Sequence, residues 1–496
     1  MSSRPNVLLI IIDQFRADLL DGRLAEIAGL KNLAALADEA FVFRDHYSVV
    51  TPCGPSRVSL FTGQYAMNHR AVRNGTPLRH DTPNLAREMR AAGYDPLLFG
   101  YTDIAQDPRA LPEGDPRLTS YEELLDGFTE ALRMRQESDD SAWRDDLRAK
   151  GYEVPDGNDL YVPDGDDLTS PARYRAEDSD TAFLTDRFLD RMGGEDPGWF
   201  ATLTYIRPHP PFVAPAPFNA LINPDDLPAP AQTLDNEAHP FTEALRGTEP
   251  ISSKVEGFLE LEDSPKTVAK LRATYLGLAA EVDQHIGRVL DWLKASGQWD
   301  DTILIVTADH GEMLGDHGLW GKKAYYDASY KIPLMIRIPG ESPREMKGMS
   351  ESIDVSPTIL DLVGRTAPDA MNGTSLRGMM AGGDGKAFSF SEHDFGDPIE
   401  PSKLQQALGL STIQSNYAVL RSKTHRLVHF AGDLPQVLFD MTGDGELRDI
   451  SALPNAQAIC LDLSRQMLCH RMVHPESTFA KTMVVDGGVK TGPAQR

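Results

Sequence analysis

Apolar positions along the chain fall into two textures. Short continuous runs bounded by turn residues alternate with stretches whose apolar residues recur every three or four positions. Asn6-Val-Leu-Leu-Ile-Ile-Ile12, Phe200–Ile206 and Thr302–Thr307 read as strands buried on both faces, as expected of a mainly parallel sheet flanked by helices. From about Ser264 to Ala295, Val268, Leu271, Tyr275, Leu278, Val282, Ile286, Val289 and Leu293 form one helical stripe, and Gly297 ends it. This α/β alternation spans about residues 1–373. Beyond it come short candidate strands: Ala387–Ser391, Asn416–Arg421, His425–Phe430 and Val437–Asp440. They predict a smaller C-terminal α+β subdomain, residues 374–496, with an antiparallel sheet and a loose polar tail from Asp486. Residues 138–168, acidic and rich in Gly and Asp, read as a surface insertion.

Composition narrows the function classes. The 496 residues are 41% hydrophobic and 25% charged, an ordinary globular balance. The longest apolar runs, such as Val7–Ile12, fall far short of the ~20 residues a membrane span needs. Forty-nine basic residues against 74 acidic ones give a net charge of −25, which disfavours nucleic acid as a partner. A small anionic substrate then requires local cations or a metal to reverse the field. Cys53, Cys460 and Cys469 are too few for a disulfide framework; the last two sit in a helical stretch and read as buried thiols. No secretory signal is read in the first residues, so the expectation is a cytoplasmic protein.

Ligands of open α/β sheets gather at the carboxyl ends of strands. Two of the strands end in Asp13-Gln14 and Asp309-His310, oxygen and nitrogen donors suited to a divalent cation. Either dipeptide alone is more often a helix cap or a solvated turn. A third element is Cys53-Gly-Pro-Ser-Arg57, followed by Val58-Ser-Leu-Phe-Thr-Gly63. Read by itself it is a buried cysteine before a proline-initiated helix.

The whole string resembles the sulfatase signature, in which Cys-x-Pro-x-Arg directs oxidation of the cysteine to formylglycine. The resemblance extends through Asp13-Gln14-Phe-Arg-Ala-Asp18, Met67-Asn-His-Arg70, Asn74-Gly-Thr-Pro-Leu78, Gly100-Tyr-Thr102 and Arg207-Pro-His-Pro-Pro-Phe212. It continues through Asp309-His-Gly-Glu312, Gly315-Asp-His317 and Gly321-Lys322. The chain is similar to type I sulfatases of the alkaline phosphatase superfamily, above all to bacterial phosphonate monoester hydrolases and related arylsulfatases. The resemblance implies an alkaline-phosphatase-like α/β sandwich: a large mixed, mostly parallel sheet flanked by helices, plus the smaller C-terminal subdomain.

It further implies one divalent metal held by Asp13, Gln14, Asp309, His310 and the modified Cys53. A neutral amide and an imidazole among the ligands suit Mn²⁺ better than Ca²⁺, which is the alternative. Hydrated formylglycine, ionised beside the metal, would attack sulfur or phosphorus in line, and its second hydroxyl would expel the product by C–O cleavage. Arg57 and Lys322 would neutralise developing charge, and His209 would protonate the departing oxygen. Asn74 and Tyr101 would bind nucleophile or substrate. His317 would brace the ligand loop.

Asp103 departs from the hydroxyl residue expected in phosphonate hydrolases and would repel a second substrate charge. Aryl sulfates therefore rank first as substrates, with phosphonate monoesters and phosphodiesters alongside; the reverse order is the alternative. A formylglycine-generating enzyme is the implied maturation partner, and a homodimer or homotetramer the implied assembly. Two readings of other classes stand beside this one. One is a catalytically silent metal-binding scaffold, against which nucleophile, ligands, cations and acid are all present. The other is thiol or redox catalysis, for which Cys53 has no Cys-x-x-Cys partner.

Overall fold

The structure, a computed structural model, describes residues 4–135, 139–235, 237–476 and 482–492. Its centre is an eight-stranded sheet built from β1 (Asn6–Ile12), β2 (Phe41–Tyr47), β3 (Pro96–Gly100), β4 (Thr129–Arg133), β5 (Phe200–Tyr205), β6 (Thr302–Ala308), β7 (Leu334–Arg337) and β8 (Arg344–Glu351). The order across the sheet is β4-β3-β5-β1-β6-β7-β2-β8. All neighbours run parallel except β7, which is antiparallel to β6 and β2.

β1 is the middle of this layer, and its six apolar residues, Val7 to Ile12, are each 0% exposed. Each such burial contributes about 1.5–3 kcal/mol. The strand's twofold alternation splits them between two cores. Val7, Leu9 and Ile11 face one cluster, with Val58 and Phe61 of helix α1 (Cys53–Thr62). Leu8, Ile10 and Ile12 face the other. There they meet α2 (Ser141–Ala149), α3 (Asp180–Met192) and the 31-residue α4 (Pro265–Ala295). α4 starts where the sequence indicates: Ser264 accepts the Thr267 N–H and Pro265 occupies the first turn. A further helix, α5 (Val355–Leu362), packs Val355 and Ile359 into the α1 side.

The acidic stretch read as a surface insertion is anchored more deeply than its composition suggests. Trp143 and Leu147 of α2 are fully buried in the main core, and Trp143 Nε1 donates to the Asp178 carbonyl at 2.9 Å. An i, i+4 apolar pair is enough to dock a helix whose other positions are charged.

C-terminal to the main sheet, β9 (Phe388–Asp394), β10 (Asn416–Ser422), β11 (His425–Phe430) and β12 (Val437–Asp440) form a second, antiparallel sheet in the order β12-β11-β10-β9. Helix α6 (Ala456–Val473) buries Cys460, Leu463 and Met467 beside it, whereas Cys469, expected to be buried, is exposed. The tail is not loose from Asp486: β13 (Thr482–Val485) and β14 (Gly488–Thr491) pair as a hairpin. Among the described residues no helix is long and apolar enough to cross a membrane.

Candidate active site

The parallel register of β1 and β6 sets Ile12 against Ala308, so Asp13-Gln14 and Asp309-His310 leave the sheet side by side. The N-terminus of α1 brings Cys53 to the same point. One donor atom from each of Asp13, Cys53, Asp309 and His310 lies within 4.8 Å of the others, all four residues buried. Asp13 Oδ1 has no hydrogen-bond partner, and an orphaned buried carboxylate oxygen is what a cation satisfies. The residues therefore fit a divalent ion.

The donors are held from behind. Arg57, 0% exposed, donates from Nη2 to Asp13 Oδ2 at 3.0 Å and from Nε to Asp309 Oδ2 at 3.1 Å. Tyr101 donates its hydroxyl to Asp13 Oδ2, and Arg57 stacks over its ring at 4.1 Å. Both residues lie on the protein side of the carboxylates, bracing the ligands. The positions expected for them, a cation and a hydroxyl on the substrate itself, are not those the structure gives. Gln14 sits at φ 60°, a costly conformation outside glycine. Its amide nitrogen donates to Glu312 Oε2, which turns the oxygen toward Lys322 Nζ, 2.7 Å away. Glu312 also accepts the Leu314 N–H at 3.0 Å and the Gly321 N–H at 2.5 Å. Sequence reasoning gave Glu312 no role.

Around the nucleophile position, Lys322 Nζ lies 3.1 Å and His310 Nε2 3.2 Å from Cys53 Sγ. His310 Nδ1 donates to the Gly311 carbonyl at 3.0 Å, leaving the Nε2 lone pair free for coordination. Burial and then Asp13 push the Cys53 thiol pKa well up, so the unmodified side chain is a poor nucleophile. Burial also pushes the Asp13 carboxyl up, but His209, Arg57, Lys322 and His310 outweigh it and hold Asp13 well below the usual carboxylate range. Burial opposes the Lys322 ammonium, yet Cys53 and Asp13 hold its pKa above the ordinary lysine value.

The cluster opens into a cavity of about 850 Å³ whose walls include His209, Asn74, Asp103 and, from the second sheet, His393 and Phe395. His209 donates from Nδ1 to the Pro210 carbonyl at 2.6 Å. Its loop is held by the buried Arg207, which donates to the carbonyls of His209 and Pro211, each at 2.9 Å, and is anchored on Asp180. Burial and the neighbouring Lys322 bring the His209 pKa down to about 3, so its Nε2 is an acceptor until an anion enters. Asn74 accepts the Gly54 N–H at 3.0 Å. A Cβ at Gly54 would stand 3.0 Å from the Asp103 carbonyl and 3.1 Å from Asn74 Oδ1, so glycine permits this close approach. Asp103 is buried with Oδ1 unpartnered; burial pushes its carboxyl pKa well up, against the pull of Arg57. His317 does not touch the ligands; it stacks on Tyr326 at 4.0 Å.

The arrangement is a cation pocket beside a nucleophile position, with a fixed ammonium and an imidazole facing an anion-sized space. Comparison with known proteins agrees. The sulfatase family model matches residues 5–365, and a model of the C-terminal part of N-sulphoglucosamine sulphohydrolase matches residues 315–472. The chain is 38% identical to a multifunctional alkaline phosphatase superfamily protein of Trinickia caryophylli, over 96% of this chain and 97% of that one. Among solved structures, a phosphonate monoester hydrolase of Silicibacter pomeroyi superposes with a TM-score of 0.96 at 50% identity, covering 99% of this chain and 100% of its own. That of Agrobacterium radiobacter gives 0.90 at 35% identity with the same coverage. With the signature cysteine at the cation pocket and the family model spanning the whole central sheet, this chain belongs to the sulfatase family of the alkaline phosphatase superfamily and is a hydrolase.

Proposed function

We propose that this hydrolase cleaves monoanionic esters of tetrahedral acids, phosphonate monoesters and phosphodiesters first and aryl sulfates alongside, using a formylglycine made from Cys53 and one divalent ion. The observation that carries this reading is the buried contact of Cys53 Sγ with Lys322 Nζ and His310 Nε2, beside the unpartnered Asp13 Oδ1. A thiol raised in pKa by its surroundings does little there, whereas an oxygen nucleophile at the same point meets a cation and a metal ligand set. Asp13, Gln14, Asp309, His310 and the modified Cys53 would hold the ion, and the nitrogen donor favours Mn²⁺ over Ca²⁺. When present, ion and formylglycine supply Lewis-acid charge and the nucleophile.

The remaining work falls to this chain's own side chains. Lys322 Nζ, fixed on Gln14 Oε1, holds the nucleophile position and offsets charge on the ester oxygens. Arg57 and Tyr101 keep Asp13 and Asp309 ionised and in place. An arriving anion offsets Lys322 and raises the His209 pKa from its low resting value, so His209 gains its proton with the substrate and delivers it from Nε2 to the leaving oxygen. Asp103 sets the charge limit. Phosphonate monoesters, phosphodiesters and sulfate monoesters carry one negative charge, phosphate monoesters two, and a buried carboxyl on the wall penalises the second.

The placing of phosphonates first rests on the two solved relatives that cover the whole chain. The reading with aryl sulfates first keeps its support from the family signature. The discriminating experiment compares kcat/KM of metal-loaded protein on phenyl phosphonate and aryl sulfate esters, with Cys53→Ala as control. Turnover that survives in Cys53→Ala would overturn the reading, and sulfate ahead of phosphonate would reverse the order. The reading also requires a formylglycine-generating enzyme as maturation partner. Assembly as a homodimer or homotetramer is supported by Leu461, Leu468 and Met472, exposed along one face of α6, and size exclusion checks it.

A further inference from the structure

The tetrahedral anion needs only the part of the cavity over Cys53, between Gln14, Lys322 and His310. A volume of about 850 Å³ is of the size that takes a whole drug-sized ligand, so most of it is left for the group that departs. One wall of that remainder comes from the second sheet: the end of β9 and the loop after it, with His393, Phe395 and Leu404.

His393 is 1% exposed. Its Nδ1 lies 2.9 Å from the Thr51 carbonyl; a carbonyl only accepts, so Nδ1 carries the proton. Burial brings the ring's pKa down to about 4, so at neutral pH Nε2 bears a lone pair, and that atom is buried without a hydrogen-bond partner. Leaving a buried acceptor unmatched is costly. The charged groups that face the ring, Lys323 and Glu249, are paired with each other. Phe395 lies nearly parallel to the imidazole, 27° and 6.2 Å between rings, and Leu404 is buried in the same cluster. The wall is therefore apolar and flat, with a single acceptor in it.

We propose that this wall is a leaving-group subsite for a ring-bearing alcohol that carries a second hydroxyl, whose O–H is accepted by His393 Nε2. The inference rests on the ester-hydrolase reading above. It assigns the natural substrate to esters of hydroxylated ring alcohols over plain aryl or alkyl esters. A plain leaving group would leave the imidazole acceptor desolvated and unpaired, while a hydroxylated one would satisfy it without adding charge.

Binding is read apart from turnover by titrating the metal-loaded Cys53→Ala protein calorimetrically with phenyl phosphonate esters. The leaving groups are phenol and its 2-, 3- and 4-hydroxy derivatives. At least one hydroxylated isomer should bind about tenfold tighter than the phenyl ester, the worth of one buried hydrogen bond. In Cys53→Ala/His393→Asn the amide nitrogen stands in for Nδ1 on Thr51 and the acceptor is gone, so the advantage should collapse to within about twofold. In Cys53→Ala/His393→Gln an amide oxygen reaches toward the Nε2 position and should restore part of it. Equal affinity of all four esters for Cys53→Ala, or an advantage undiminished in the Asn variant, overturns the proposal. Failure of the unaltered protein to hydrolyse even the phenyl ester would instead overturn the proposed function, and the two results are read separately.

Discussion

Replacing Arg57 by Met, of similar length and without charge, should destabilise the metal-free protein more than any other single change at the site. The guanidinium is 0% exposed and lies 3.0 Å from Asp13 and 3.1 Å from Asp309. At an effective dielectric of about 20, each contact is worth about 5 kcal/mol of Coulomb attraction before desolvation. Removing one partner of a buried ion pair costs about 3–5 kcal/mol net. Here two carboxylates lose the same cation and are left facing each other. Urea unfolding of metal-stripped wild type and Arg57→Met measures the loss. The pH dependence gives an independent arm. Asp13's carboxyl is held low in the folded state, so its stabilisation is present above the unfolded value of about 3.9 and is lost as pH falls through the folded one. Without Arg57 the folded value rises, so the deficit should be widest at neutral pH and should narrow below about pH 4. A variant within about 1 kcal/mol of wild type at pH 7 would refute the reasoning, since that is the size of an ordinary surface change.

Three further outcomes follow from the same geometry. Glu312→Gln should weaken Mn²⁺ binding by about 10–100-fold in a calorimetric titration, because the Gln14 amide loses the acceptor that turns its oxygen into the site; unchanged affinity would remove Glu312 from the metal site. His209→Ala should lower kcat by about 10²–10⁴-fold on esters with poor leaving groups and far less on nitrophenyl esters, which need no proton; an equal loss on both would assign His209 to binding. Asp103→Asn should raise kcat/KM on phenyl phosphate relative to phenyl phosphonate by about tenfold, as one nearby charge is removed, and a ratio that does not move would place the charge limit elsewhere.

What was legible in the sequence was what local pattern encodes. β1 and β6 announce themselves as apolar runs that stop at a carboxylate, and their parallel pairing is what makes Asp13-Gln14 and Asp309-His310 a single site. Cys53 and Lys322 were legible because their neighbours form a motif, and the structure sets them 3.1 Å apart. The residues misread or missed are those whose meaning depends on which side of the cluster they occupy. Arg57 is one helical turn from Cys53, so it was expected to face the substrate, but all ten residues of α1 are buried and the guanidinium turns inward to two carboxylates. Tyr101 follows it for the same reason: its hydroxyl finds the nearer anion, Asp13. Glu312 and His393 leave no local trace at all. A glutamate after His310-Gly311 reads as solvated, and a histidine between Glu392 and Asp394 on a strand reads as a polar edge; both gain their roles from atoms far along the chain, at Gln14 and Thr51. Chemistry carried by strand ends and short motifs survives projection onto one dimension. Chemistry carried by an orientation, an amide turned or a lone pair left open, exists only once the second sheet has closed against the first.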